Sequence, residues 1–405
     1  MALRTLAGLF VVTLVLLAPS GYFYITYLLP RTEIPEVTAE TGETWSAPGL
    51  DPVLSTTLQE EVAAARSRVT SPSFSAAIAF DGELQWAGTV GFSGIETGTT
   101  AAIAGRYRIG STSKAMTAAL LMRLVVAGEI ELDAPIGSYA RDLPEDYAAL
   151  TARQLASHTG GVRHYASVPT YWPGSHASLS GEHYESVKDG LSIFIDDPLE
   201  FEPGEAFGYS TYGYSLLSYA LESATGEGFQ ALMRERLWHP LSMRHTAFDF
   251  GADVPGRVSF YTSGDGEYSA AYPSGASYKL AGGGIVASAS DVARFGLALL
   301  GEGYLDGKSK EEMFSPVKLA DGSDNPQNYG LGFRVDTSVR LLGEERPTTI
   351  IHHGGTQNGG ASFFMIVPDF GISVSTLSNT GARAARGEAQ SLAYALTRAV
   401  IAARE

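Results

Sequence analysis

A serine and a lysine stand three residues apart in "IGSTSKAMTAALLMRLVV" (109–126), within a chain that has only six lysines among 405 residues. The Ala, Leu and Met that follow favour a helix, and Gly128 suits its C-terminal stop. Ser111 therefore falls at or near the first turn, and Lys114 emerges on the same face. A helix start offers unpaired N–H groups and the positive end of a dipole, both of which favour developing negative charge. A serine hydroxyl needs a base before it becomes a nucleophile, and a desolvated lysine whose pKa has fallen toward neutrality can serve. The spacing alone fits equally a Ser N-cap followed by a solvated lysine. Its company decides between the two.

In "PGEAFGYSTYGYSLLSYAL" (203–221), Pro203 and Gly204 mark a turn, Tyr209-Ser210-Thr211 follows, and an amphipathic helix begins. A tyrosine there can reach a nucleophile and, beside cationic groups, act as a phenolate base; a core tyrosine is the plainer alternative in a chain with 20 of them. In "IIHHGGTQNGGASFF" (350–364) an apolar strand runs into His353-Gly354-Gly355. Glycines at a strand edge admit a substrate close to the backbone, and the Thr356 N–H can serve as an oxyanion donor, although a Gly-rich hairpin turn reads the same way.

Taken in order, Ser111-Thr112-Ser113-Lys114, Tyr209-Ser210-Thr211 and His353-Gly354-Gly355 resemble the three motifs of the serine β-lactamases and penicillin-recognising hydrolases, in the class C and D-peptidase branch. Between the motifs, "LTARQLASHTGGVRHY" (150–165), "DDPLEFEPGEAFGYSTYGYSLLSYALE" (196–222) and "SYKLAGGGIVASASDVARFG" (277–296) resemble the LACTB-type branch, and the likeness covers roughly residues 52 to 400. The resemblance implies that Ser111 is acylated while Lys114 and Tyr209 share the proton transfers, with either as the acylation base. It implies an oxyanion hole from the N–H groups of Ser111 and Thr356, and substrate binding by Thr211, Gly354 and Gly355. His353 takes the place of the lysine of K-T-G; counting the register to Gly359 selects it over His352, which alternates to the other face of the strand. Thr211 stands where lactamases carry the asparagine of Y-x-N. These two departures point away from efficient β-lactam hydrolysis and toward an amide or ester in a peptide or small-molecule substrate. A β-lactamase or D-alanyl-D-alanine carboxypeptidase-type enzyme is the alternative. A non-catalytic, filament-forming structural protein is the rival from another class, and the intact Ser111, Lys114 and Tyr209 argue against it. No cofactor and no metal is implied, and an oligomer is compatible with the resemblance.

The elements that must position these residues are legible too. "PVLSTTLQEEVAAARSRV" (52–69) has helical spacing, and "FSAAIAF" and "ELQWAGTVGF" flank Asp81-Gly82, a hairpin signal. "YGLGFRV", "TTIIHH", "SFFMIVP" and "GISVSTLS" read as four strands, followed by a helix from about Ala384 to Ala402. Strands at both ends with helices between them predict an α+β, β-lactamase/transpeptidase-like fold: an antiparallel sheet flanked by the terminal helices, a large helical subdomain, and a catalytic cleft between them. His158 and His164 lack the carboxylate company of a metal site, "AGGGIVAS" (281–288) lacks phosphate-loop spacing, and Ser290 or Asp291 is expected to cap the next helix. The stretch 163–195 is too long for a simple connection and is expected to form a flap beside the cleft.

A net charge of −16 and the lack of any Lys/Arg run exclude a nucleic-acid binder, and the absence of cysteine removes disulfides, thiolate metal sites and a cysteine nucleophile. Residues 5–29, "TLAGLFVVTLVLLAPSGYFYITYLL", carry no charge and are long enough to span a bilayer. Residues 1–31 therefore read as a transmembrane anchor, with a cleaved signal peptide, and hence a secreted protein, as the alternative. Residues 32–51 read as a linker and 52–405 as the hydrolase domain, held outside the cytoplasm and periplasmic in a bacterium.

Overall fold

A computed structural model describes residues 32–36, 38, 40–165, 182–251, 253–264 and 266–405; the expected anchor (1–31) and the middle of the expected flap lie outside the described residues. The central sheet draws its strands from both ends of the chain: β1 (Thr44–Ser46), β2 (Ser73–Phe80), β3 (Glu83–Gly94), β4 (Arg334–Ser338), β5 (Thr348–Gln357), β6 (Gly360–Val367) and β7 (Ile372–Ser378). Their order is β4-β5-β6-β7-β2-β3-β1, with every neighbour antiparallel. Asp81 and Gly82 join β2 to β3 with φ of 53° and 83°, the positive values that a two-residue hairpin turn demands.

Successive side chains in a strand point to opposite faces, so the sheet builds two apolar layers. Phe74, Ile78, Phe363, Met365 and Val374 face α1 (Pro52–Val69) and α5 (Arg383–Arg404), which contribute Leu58, Val62, Leu392, Leu396 and Val400. Ala77, Ala79, Phe364 and Ile366 face the other way, toward α2 (Ser113–Val126), α3 (Thr211–Thr225) and α4 (Ala289–Leu300). Small residues on that face allow close packing; a Cβ at Gly296 of α4 would run into the Phe364 ring and Ser373. Ser113 through Met122 are all buried, so α2 is the central helix of the insertion.

Several boundaries differ from expectation. Only Arg334–Ser338 of the "YGLGFRV" region pairs as a strand, because Gly332 takes φ of 79° where it crosses α2, with Ala118 and the Lys114 carbonyl against it. α4 is capped by Ser288, whose side chain accepts from the Asp291 N–H, rather than by Ser290 or Asp291. The Asp291 carboxylate instead accepts from the His245 N–H and the Thr246 hydroxyl. Within the stretch expected as a linker, Thr32–Glu33 pairs with Glu267–Ala270 and Thr44–Ser46 forms the β1 edge, so this segment lies along the body. Within the expected flap, residues 166–181 are outside the described set, while Leu191 and Phe194 are buried and Phe194 stacks on Tyr212 at 4.6 Å.

Candidate active site

Ser111 lies in a 3-10 turn (Gly110–Thr112) that runs directly into α2, whose first turn carries Lys114. The Lys114 Nζ stands 3.4 Å from the Ser111 Oγ, 2.6 Å from the Gly282 carbonyl and 3.0 Å from the Thr211 Oγ1. The rings of Tyr209 and Tyr214 flank it at 4.9 and 5.5 Å. Burial, reinforced by the nearby Lys279 charge, holds its pKa well below the ordinary lysine value. A neutral amine has two N–H donors, which Gly282 and Thr211 accept, and its lone pair is left for the Ser111 hydroxyl. That arrangement can take the hydroxyl proton.

Tyr209 immediately precedes Ser210, the N-cap of α3, and its side chain lines the same cleft as Ser111. Burial pushes its pKa up, so the side chain rests as a phenol, which disfavours the phenolate base that the sequence offered as one option. Lys114, 4.9 Å from its ring and itself depressed in pKa, gives a phenolate little support. Thr211, expected to contact substrate, is instead buried, with its hydroxyl on Lys114.

His353 sits in β5 with its Nδ1–H donating to the Gly354 carbonyl at 2.7 Å and its Nε2 accepting from the Tyr329 hydroxyl at 2.9 Å. Burial and Lys114 depress its pKa, which leaves a neutral ring where the K-T-G motif has a cation. His352 is bonded through Nε2 to Asp336 at 2.8 Å and also reaches the cleft. The backbone of β5 crosses the 3-10 turn closely: Gly110 has φ of 49°, and a Cβ there would lie 2.8 Å from the Thr356 N. A Cβ at Gly355 would collide with the Ile109 carbonyl. These two contacts bring the Ser111 and Thr356 backbones to one cleft of about 640 Å³.

The cleft is also lined by Tyr209, His353, Gly354, Arg334, Arg383 and Arg386, and no carboxylate is among its described lining residues. The three arginines, the Gly282 carbonyl and Tyr329 were not singled out from sequence. Each lies far along the chain from Ser111. His158 and His164 act as helix caps: their Nδ1 atoms accept the Ser210 and Thr211 N–H groups at 3.2 and 3.1 Å.

Residues 59–399 match the protein family described as Beta-lactamase. The chain belongs to the beta-lactamase family. It is 25% identical over 384 residues to the human "Serine beta-lactamase-like protein LACTB, mitochondrial", covering 75% of this chain and 70% of that one. It is 26% identical over 269 residues to Penicillin-binding protein 4* of Bacillus subtilis (strain 168), covering 62% and 55%. The D-amino acid amidase from Ochrobactrum anthropi SV3, solved with D-phenylalanine, superposes with a TM-score of 0.73 at 21% identity, over 87% of this chain and 100% of that one; this likeness is one of fold. The family is one of serine β-lactamase-like hydrolases, and its β-lactamase/transpeptidase-like architecture is the one expected from the order of strands and helices.

Proposed function

We propose that this chain is a serine hydrolase that cleaves an amide or ester through an acyl-enzyme on Ser111. The observation that carries this reading is the buried Lys114 amine, depressed in pKa, with the Ser111 Oγ 3.4 Å from it and both of its N–H donors otherwise engaged. Lys114 accepts the hydroxyl proton as the Oγ attacks the carbonyl carbon. The N–H groups of Ser111 and Thr356 hold the oxyanion. Tyr209, a phenol lining the same cleft as Ser111, hands a proton to the departing nitrogen or oxygen and regains one from Lys114. Water then displaces the acyl group by the same route in reverse. Neutral His353 positions Tyr329 and the β5 strand and supplies no charge for a β-lactam carboxylate.

The chain is further read as an anchor (1–31), a connecting segment (32–51) and a hydrolase domain (52–405) held at a membrane outside the cytoplasm, supported by the uncharged run 5–29. Labelling with a fluorophosphonate probe tests the nucleophile: wild type acquires a stable adduct and Ser111→Ala does not. Labelling that persists in Ser111→Ala would refute the assignment. A panel of p-nitrophenyl esters, short peptide amides and nitrocefin, run on a fragment from Thr32 that keeps both short strands, then separates esterase or peptidase from lactamase.

A further inference from the structure

Beyond Thr356, on the Gln357 side, a second cavity of about 430 Å³ adjoins the cleft and shares Thr356 and Tyr165 with it. Its walls carry polar groups left without partners among the described residues. Gln357 is 7% exposed, yet neither its Nε2 nor its Oε1 has a hydrogen-bond partner. The Ser274 Oγ is likewise buried and unpartnered. Lys279 is 5% exposed, and its Nζ lies over the faces of Tyr165 and Tyr278 at 5.5 and 5.3 Å, where it meets no acceptor among the described residues. Buried polar groups are ordinarily bonded, and each one left unmade costs stability. Several converging on one cavity mark the seat of a ligand.

The chemistry of that ligand follows from the donors. An ammonium, an amide NH2 and a hydroxyl face a single amide carbonyl, a set that suits a carboxylate and repels a cation. Behind Lys279, Asp249 is shared between Arg108 at 2.6 Å and Arg257 at 2.7 Å, which leaves one positive charge uncompensated. The Arg108 Nη1 also holds the Asn358 carbonyl at 2.6 Å, fixing the turn next to Gln357. Lys279 itself, lowered to about 8 by burial and by Arg108, is still cationic at neutral pH. The cavity's place relative to the proton donor assigns it to one half of the substrate. A leaving group must lie beside Tyr209, which lines the cleft and not this cavity, so the cavity receives the acyl half.

We propose that this cavity is a subsite for a carboxylate carried on the acyl portion of the substrate, held by Lys279, Gln357 and Ser274. The inference rests on the acyl-enzyme reading above, and it identifies the substrate as an amide or ester whose acyl component is acidic. The test uses the full chain and two alkyl fluorophosphonates that are identical except that one chain ends in a carboxylate and the other in a methyl group. The carboxylate probe is expected to inactivate wild type roughly ten- to a hundredfold faster, the range of a hydrogen bond to a charged group. Lys279→Met should bring the ratio of the two rates to about one, while Lys279→Arg keeps most of the preference. Gln357→Leu, which spares the charge, should reduce the ratio partway. Because both probes meet the same Ser111 and Lys114, a general loss of activity or folding slows both and leaves their ratio alone. Equal rates in wild type, or a preference that survives Lys279→Met and Gln357→Leu, overturn the subsite and leave the hydrolase standing. No reaction with either probe overturns the hydrolase and the subsite together.

Discussion

Lysine is a poor base while it is protonated, and the environment of Lys114 removes that obstacle by burial. Below its depressed pKa the amine carries a proton and cannot accept another from Ser111; above it the lone pair is free. The kcat/KM for an ester substrate should therefore rise with pH through an ionisation well under the ordinary lysine value of 10.5. A limb that stays at the ordinary lysine value would count against Lys114 as the base. Lys279→Met should move this limb to higher pH, since removing a neighbouring positive charge eases protonation of Lys114. Ser111 and Lys114 were legible in the sequence because three residues on a helix bring them onto one face, and Tyr209 because a turn and a helix start frame it. That Thr211 and Gly282 hold the amine was not, because they lie 97 and 168 residues from Lys114 in the chain. Chemistry at short range in sequence could be read; the desolvation that tunes it could not.

Two adjacent glycines of β5 show how a strand can be legible while its tolerances are not. The apolar run into His353 identified the strand, and both Gly354 and Gly355 looked alike as places for close approach. In the fold they differ. A Cβ at Gly354 would meet nothing nearer than the Phe363 ring at 3.7 Å, an ordinary contact. One at Gly355 would strike the backbone of Ile109, which cannot swing aside as a side chain can. Gly355→Ala should thus lower stability by about 1–3 kcal/mol, the usual cost of overpacking. It should also displace Thr356, with kcat falling by about 10²–10³, as when one oxyanion donor is lost. Gly354→Ala should keep the thermal midpoint close to wild type, within about 0.5 kcal/mol. Thermal melts and kcat on the two variants provide the check, and equal destabilisation would show that the crossing of β5 over the 3-10 turn is looser than its geometry. The Ser288 cap and the Gly332 kink escaped sequence reading for the same reason: each is decided by which neighbour approaches, and no residue pattern carries that.

At the scale of the whole molecule, charge sets up a contest. The chain carries a net −16, yet the cleft is lined by Arg334, Arg383 and Arg386 and the adjoining cavity by Lys279. Spread over a body with a radius of gyration of about 20 Å, the net charge opposes an approaching carboxylate by about 3 kcal/mol before screening. The arginines and Lys279 act within a few ångströms. Salt separates the two, because the Debye length is about 30 Å at 0.01 M, about 8 Å at 0.15 M and about 3 Å at 1 M. Raising salt from 0.01 to 0.15 M should remove most of the distant repulsion while sparing the contacts inside the cleft. A carboxylate-bearing substrate should then gain in kcat/KM relative to its neutral twin over that interval, and lose the gain as 1 M salt weakens the contacts themselves. The ratio of the two substrates, followed across salt, should pass through a maximum. A steady decline from the lowest salt would mean that the local cations govern approach from a distance. A ratio that never changes would mean that no carboxylate is recognised at all.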